Sequence, residues 1–358
     1  MINVTQTFLP PIEEYQNYLN QIWDKKWLTN RGPLVRKLEE NLKKYLGVKQ
    51  TILTTNGTLP IQIAIKTLKL EGEIITTPFS YVATTSAIVW ENCEPVFVDI
   101  TPDFLTIDES KIEAAITSKT SAILATHVFG NPCNIEAIDA IAKKHNLRVL
   151  YDAAHCFGVN YKNESIFNFG DVSTCSFHAT KVFHTAEGGA MFTNSKELFD
   201  KLFYHHNFGH KGPEEFQGIG TNAKMSEIQA AMGLSVLPYM DEVLNKRKLI
   251  CNLYFKAFEK EDIKLITLRK HTNWNYCYFP LIFKSEEQLF KVKKALEKQN
   301  IFTRRYFYPS LNTLPYIKNK AVMPISESIS KRVLCLPLYP DLLDDEVSKI
   351  ISIILKQF

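Results

Sequence analysis

Hydrophobic positions along the chain follow two periods, and the alternation between them outlines a fold. Residues 12–26 and 34–47 repeat apolar side chains every three or four positions, which predicts amphipathic helices, the second closed by Gly47. The turn-rich segment LTNRGP at 28–33 separates them. Beyond residue 50, short apolar runs alternate with helical periods. Strands are predicted at 51–58 (running into a turn), 73–78, 94–100, 121–130 and 148–155, and helices at 59–70, 81–92, 108–117 and 135–146.

This alternation implies an α/β fold with a mostly parallel sheet covered on both faces. Ligands of such sheets sit beyond the carboxyl ends of the strands. The informative residues are therefore those where strands stop: Asn56-Gly57-Thr58, Phe79-Ser80-Tyr81, His127, and Asp152 to His155. After residue 240 the pattern changes. A long helix at 237–260, a strand at 276–283, a helix at 286–300 and the apolar run VLCLPLYP predict a smaller α+β domain, dividing the chain into 1–240 and 241–358.

Composition narrows the function classes. With 42 basic against 38 acidic residues, the chain lacks the charge excess of a nucleic-acid-binding surface. The seven cysteines are scattered and contain no C-x-x-C pair, so neither a disulfide framework nor a zinc site is indicated. No apolar run approaches the roughly 18 residues of a membrane span, and no membrane association is expected. A cytoplasmic protein fits these counts.

The candidate chemistry gathers near the middle of the chain. In SFHATKVFHTAEGG (176–189), Lys181 stands among small, aromatic and apolar residues, an unusual place for an ammonium. Partial desolvation lowers a lysine's pKa and frees its nitrogen as a nucleophile, as a Schiff-base lysine requires. Upstream, Asp152 follows an apolar strand. A carboxylate there needs a cation such as a protonated cofactor ring nitrogen, although a helix cap or a buried ion pair would also satisfy it. Asn56-Gly57-Thr58 stands at a strand-to-helix turn, where free N–H groups suit an anion or form an ordinary cap. Ser176 could add a hydroxyl. Lysine, aspartate and anion cup are together the parts of a pyridoxal 5'-phosphate site.

The ordered run TTNGT, TTPFSYVATTSA, PVFVDI, HVFGNPCNIEAI, YDAAHCFG, GDVSTCSFHATKVFHTAEGGA and GTNAKMSEIQAAMGL resembles the DegT/DnrJ/StrS group of nucleotide-sugar aminotransferases. The likeness extends from WLTNRGP to LCLPLYP. It implies the pyridoxal-phosphate-dependent aminotransferase fold type I: a large domain with a mostly parallel seven-stranded sheet, and a smaller α+β C-terminal domain. It also implies a homodimer with active sites shared at the subunit interface.

By the same resemblance, Lys181 matches the lysine that links to the cofactor and Asp152 the partner of the pyridine nitrogen. His155 matches a Gln or His near the phenolic oxygen, and Tyr81 the aromatic stacked on the ring, with Phe79 as the alternative register. Gly57, Thr58 and Ser176 match phosphate contacts, and Asn222 an asparagine lent by the second subunit. Asn56, where Ser is common, and Lys224, where Arg or Tyr is frequent, depart from the group's pattern.

The implied reaction is a two-stage transamination from glutamate to a nucleotide-linked ketosugar. Residues 4–33 and 303–316 look closest to members that convert dTDP-4-keto-6-deoxyglucose to dTDP-4-amino-4,6-dideoxyglucose, a precursor for surface polysaccharides such as O-antigen and lipopolysaccharide. Arg304, Tyr306 and Tyr308 are candidates for the nucleotide diphosphate, or for domain packing. Amination at C3 or of a UDP sugar remains open. So do a pyridoxal-phosphate-dependent sugar dehydratase, in which histidine replaces the lysine, and a non-catalytic sensor; the intact Lys181, Asp152 and His155 set speaks against both.

Two other motifs carry less. GIGTNA at 218–223 matches a dinucleotide fingerprint but follows no strand. His205, His206 and His210 lack a completing ligand and are expected in a polar loop near the active-site mouth.

Overall fold

The computed structural model describes residues 1–358. Helices α1 (Ile12–Lys25) and α2 (Pro33–Leu46) lead into β1 (Gln50–Thr54), α3 (Leu59–Thr67), β2 (Glu73–Thr76), α4 (Val82–Trp90), β3 (Glu94–Phe97) and α5 (Glu109–Ile112). Next come β4 (Thr120–Thr126), α6 (Ile135–His145), β5 (Arg148–Asp152) and the short hairpin of β6 (Asn160–Tyr161) and β7 (Glu164–Ser165). With β8 (Val172–Ser176) and β9 (Gly189–Thr193), a seven-stranded sheet forms in the order β1-β9-β8-β5-β4-β2-β3. Only β9 runs antiparallel to its neighbours.

Helices α7 (Lys196–His205), α8 (Glu227–Val236) and α9 (Met240–Phe258) follow. The C-terminal part contains β10 (Lys264–Leu265), β11 (Thr272–Asn273), β12 (Phe279–Ile282), α10 (Glu286–Glu297), α11 (Pro324–Arg332), β13 (Val333–Leu336) and α12 (Asp344–Leu355). Strands β10, β12 and β13 make a three-stranded antiparallel sheet, and β11 joins the β6–β7 hairpin.

Successive side chains of a strand point to opposite faces, and the large sheet uses both. Ile52, Ile74, Leu124, Leu150 and Met191 pack against the core formed with α3, α4 and α7. Their neighbours Leu53, Ile75, Ile123, Tyr151 and Phe192 belong to a second core that continues into the C-terminal part. Both faces being covered, the strands read as apolar runs rather than as an alternating pattern.

The α/β class and the seven-stranded, mostly parallel sheet appear as expected. Gly47 closes α2 in the left-handed region, at φ 65°. The helix expected at 108–117 is shorter. It is a four-residue turn of α5 followed by a 3-10 turn at Glu113–Ala115. Thr117 is drawn out of helical geometry because its hydroxyl donates to Glu73 Oε2 and its amide to Thr120 Oγ1. Strands β8 and β9 carry a weaker apolar signature, since VSTCS is rich in small hydroxyl residues and GAMFT has only three apolar residues after its glycine.

The N-terminal residues link the two parts. Ile2 bridges to Ile301, Val4 accepts the amide of Leu338, and Thr7 Oγ1 donates to the carbonyl of Ala179.

Candidate active site

Strands β1, β5 and β8 and the β2–α4 connection end around one cleft of about 260 Å³ at the carboxyl edge of the sheet. Asp152 is the last residue of β5 and Ser176 the last of β8. Because β9 returns antiparallel to β8, the intervening residues 177–188 form a closed loop over this edge. Lys181 lies on that loop.

The aromatic residues around Lys181 anchor the loop. Phe183 stacks on Phe157 with ring centroids 4.3 Å apart, and Phe177 meets Phe183 edge-on at 4.9 Å. All three are buried. His184 accepts the amide of Ala186 at Nδ1, so its Nε2 carries the proton and donates to the carbonyl of Phe8 at 2.7 Å. Lys181 itself is half-buried, and its Nζ lies 6.0 Å from the ring centroid of Tyr278. An apolar neighbourhood thus holds the backbone while the amine reaches into the cleft.

Asp152 is 5% exposed. Its Oδ2 accepts from Thr84 Oγ1 at 2.6 Å and its Oδ1 from the amide of Ala154 at 3.1 Å. Burial pushes its carboxyl up from the ordinary value, against the pull of those two hydrogen bonds and of the Lys181 charge. A carboxylate in this state favours a cationic N–H beside it.

Gly57 closes the far end. A Cβ at this position would lie 2.6 Å from Ser176 Cβ and 2.8 Å from Ser176 Oγ, so only glycine lets β1 and β8 end so close together. Asn56 Oδ1 accepts the amides of Thr58 and Leu59, both at 2.9 Å, which shapes the turn. The Ser176 and Thr58 hydroxyls flank the bare glycine backbone, a cradle suited to an anion.

His155 is buried and stacks nearly parallel on Phe307, 5.4 Å between centroids. Its Nδ1 accepts the amide of Phe129 at 3.2 Å, which leaves Nε2 as the donor. Burial, reinforced by Lys181, holds this imidazole well below its ordinary pKa, so the ring is neutral. Tyr278, edge-on to His155 at 5.2 Å, arrives from the segment before β12. Arg247 of α9 positions that segment by donating to the carbonyls of Tyr276 and Cys277 at 2.9 and 2.6 Å.

Gly57, Thr58, Tyr81, Asp152, His155, Ser176, Lys181, Arg304 and Tyr306 all line the cleft. Of the two registers for the ring-covering aromatic, Tyr81 lines it and is 54% exposed, whereas Phe79 is fully buried behind it. Asn222 is exposed and faces no cleft residue of its own chain; its Oδ1 accepts from Lys224 Nζ at 2.6 Å.

Tyr308 departs from the expectation of ligand contact. It lies outside the cleft with its ring 3.7 Å from the Arg305 guanidinium, which is held by Glu286. The three histidines are likewise not at the cleft mouth. His205 ends α7 and bonds Thr67 Oγ1, buried His206 bonds the carbonyl of Phe203, and His210 packs on Phe216. Ser80, His178, Thr180, Tyr278 and Phe307 line the cleft without having been singled out as ligands. The first three flank the motifs in sequence. Tyr278 and Phe307 come from the C-terminal part, and only the fold brings them in.

An amine, a buried carboxylate and an anion cradle thus meet in one cleft of an α/β fold. The chain matches the DegT/DnrJ/EryC1/StrS aminotransferase family over residues 11–355 and belongs to it. A dTDP-4-amino-4,6-dideoxy-D-glucose transaminase from Shigella dysenteriae is 43% identical, over 99% of this chain and 98% of its own length. A GDP-perosamine synthase from Escherichia coli O157:H7 is 32% identical, over 93% and 92% respectively. The structure of DesI with its TDP-sugar product matches with a TM-score of 0.94 at 32% identity, covering 99% of this chain and 93% of that one. The protein is a sugar aminotransferase.

Proposed function

We propose that the protein uses pyridoxal 5'-phosphate to transfer the amino group of glutamate to C4 of dTDP-4-dehydro-6-deoxyglucose, giving dTDP-4-amino-4,6-dideoxyglucose. The observation that carries the cofactor reading is the convergence of Asp152, Lys181 and the Gly57–Ser176 cradle on one cleft. The residues fit the group. The buried Asp152 has no cation of its own bonded to it, and the cradle has room for an anion only because position 57 lacks a Cβ.

When bound, pyridoxal phosphate supplies an electron-withdrawing ring that stores the charge left by proton removal. The chain's residues do the rest. Gly57, Thr58 and Ser176 would hold the phosphate, and Tyr81 would cover the ring. Asp152 would meet the ring nitrogen and keep it protonated, while neutral His155 would donate from Nε2 toward the ring oxygen. Lys181 would anchor the cofactor, and its Nζ would take up and return a proton. Arg304 and Tyr306 at the rim face the nucleotide diphosphate. In a homodimer, Asn222 of one protomer serves the phosphate of the other.

The choice of sugar is supported by the full-length likeness to the Shigella dysenteriae transaminase. The test is incubation with glutamate and a panel of 3-keto and 4-keto dTDP- and UDP-sugars, with products identified by mass spectrometry and NMR. A 4-amino dTDP-sugar is the expected product. Amination only of a 3-keto or UDP sugar would replace the substrate assignment, and no amination of any sugar would overturn the function.

A further inference from the structure

Thr84, in the first turn of α4, donates its hydroxyl proton to Asp152 Oδ2 at 2.6 Å. Its oxygen is 2.7 Å from Ser80 Oγ, which is 3.1 Å from Thr126 Oγ1. These side chains are all sealed from solvent: Thr84 is 0% exposed, Ser80 and Thr126 2%. The relay crosses from the end of β4 through the β2–α4 connection and α4 to the end of β5. Thr126 and Asp152 are register partners in the sheet, so the row of hydroxyls leaves one strand end and returns to the next. Ser80 stands just before the helix, ahead of its extended N-cap Tyr81, and Thr84 lies in the first turn.

Each hydroxyl carries one proton. An ionised carboxylate only accepts, so the Thr84 proton is committed to Asp152, the Ser80 proton to Thr84 and the Thr126 proton to Ser80. The ionised form of Asp152 alone fixes this direction along the whole row. Hydrogen bonds aligned on a charge strengthen one another in a buried setting.

We propose that Thr84 is a positioning residue, and that the row Thr126–Ser80–Thr84 keeps Asp152 ionised and aimed at the cofactor's ring nitrogen. The inference rests on the pyridoxal phosphate reading above. It adds a specific cause for the state of Asp152, carried by Thr84 and Thr126 behind the cleft and by Ser80 in its wall.

The titratable groups facing Asp152 from the elements packed around it are Lys181 on the loop, Cys175 on β8, and His155 and Cys156 after β5. Burial pushes both thiols up and the imidazole down, so these three stay neutral. Lys181 is then the remaining charge, and Thr84 the largest influence opposing the burial of Asp152. Loss of the Thr84 hydroxyl therefore moves Asp152 further up, toward the neutral form.

The test is titration of cofactor-free protein with pyridoxal 5'-phosphate by fluorescence quenching across pH 5.5 to 9, for the unmodified chain, Thr84→Val, Thr84→Ser and Ser80→Ala. The pH below which affinity falls should rise by about one to two units in Thr84→Val, equivalent to roughly a 10- to 100-fold change in proton affinity. Thr84→Ser should restore the original profile, and Ser80→Ala should shift it the same way by less. Equal weakening of Thr84→Val at every pH, or no weakening, would overturn the inference. If a thermal melt shows Thr84→Val unfolded, Ser80→Ala and Thr126→Val carry the same expectation, and unshifted profiles in both overturn it. An unmodified chain that takes up no pyridoxal phosphate at any pH defeats the functional reading and this inference together; uptake with an unshifted Thr84→Val profile defeats the inference alone.

Discussion

Glu227, in the first turn of α8, places Oε2 2.8 Å from the amide of Leu34 in the first turn of α2. Its other oxygen accepts from Val35 at 2.9 Å, and the carboxylate is 1% exposed. A buried acid thus satisfies two of the free amides of a helix start and meets the positive end of its dipole. Gly32 makes room for it, because a Cβ there would lie 2.6 Å from Glu227 Cδ. Glu227→Ala should therefore cost about 2–3 kcal/mol of folding stability. Gly32→Ala should also destabilise, and both losses would appear as lowered urea midpoints. A midpoint unchanged in Glu227→Ala would mean that water replaces the carboxylate without cost.

Lys181→Ala should fold normally and still bind pyridoxal phosphate through the Gly57–Ser176 cradle. Without the amine no covalent link to the chain forms, so the visible absorbance band of the linked cofactor should be missing. Turnover should fall by at least about a thousandfold. Full turnover in this variant would remove Lys181 from the mechanism.

Gly57→Ala tests the cradle by itself. The added methyl group meets Ser176 on a neighbouring strand end, not the flexible tip of a long side chain. Separating the two strand ends should weaken cofactor binding by about tenfold or more, since one displaced charge-assisted hydrogen bond is worth that much. Isothermal titration with pyridoxal phosphate measures it, and unchanged affinity would place the phosphate elsewhere.

The expectations above follow from elements that differ in how plainly the sequence announces them. Lys181, Asp152 and Gly57 were legible because each breaks a local rule: an ammonium among aromatic residues, a carboxylate ending an apolar strand, a glycine at a strand-to-helix turn. Five strands of the large sheet were legible from their apolar runs. Strands β8 and β9 were not, because β8 is mostly small hydroxyl residues and β9 offers only the short run Ala190 to Phe192, both being held between neighbouring strands. Tyr308 stayed between ligand contact and packing, because an arginine–tyrosine pair in sequence says nothing about which face each takes. Arg305 uses it for packing, while Arg304, one residue away, turns to the cleft.

Arg304 and Tyr308 should accordingly separate in experiment. Arg304→Ala should raise KM for the nucleotide sugar by about tenfold with little change in melting temperature, as loss of an anion contact does. Tyr308→Ala should leave KM unchanged and cost about 0.5–1 kcal/mol, the worth of an exposed cation–π contact. Steady-state kinetics and thermal melts distinguish them, and the reverse pattern would exchange their roles.

Buried histidines make the fold acid-sensitive. Burial holds His127 down to about 3 and His206 to about 4, and His155 is also well below its ordinary value. Arg269, Lys181 and the pair Lys224 and Arg31 add to this at His127, His155 and His206 respectively. As pH falls below roughly 6.5, the unfolded chain takes up a proton on each histidine that the folded chain refuses. Stability should then drop with falling pH by about 1.4 kcal/mol per unit for each histidine. Asp152, Glu39 and Glu91, raised by burial, work in the opposite direction, but burial holds down five histidines, since His184 and His205 are lowered as well. Urea midpoints at pH 7.5, 6.5 and 5.5 should decline in that order; constant midpoints would show that water reaches these rings.

The strap of residues 2–8 sets limits on how the protein is handled at the bench. Ile2 is buried in its bridge to Ile301, and Thr7 and Phe8 are tied to the loop that bears Lys181. Cleavage of this strap, or a bulky group inserted directly before Ile2, would disturb a β-bridge at one end and the loop that bears Lys181 at the other.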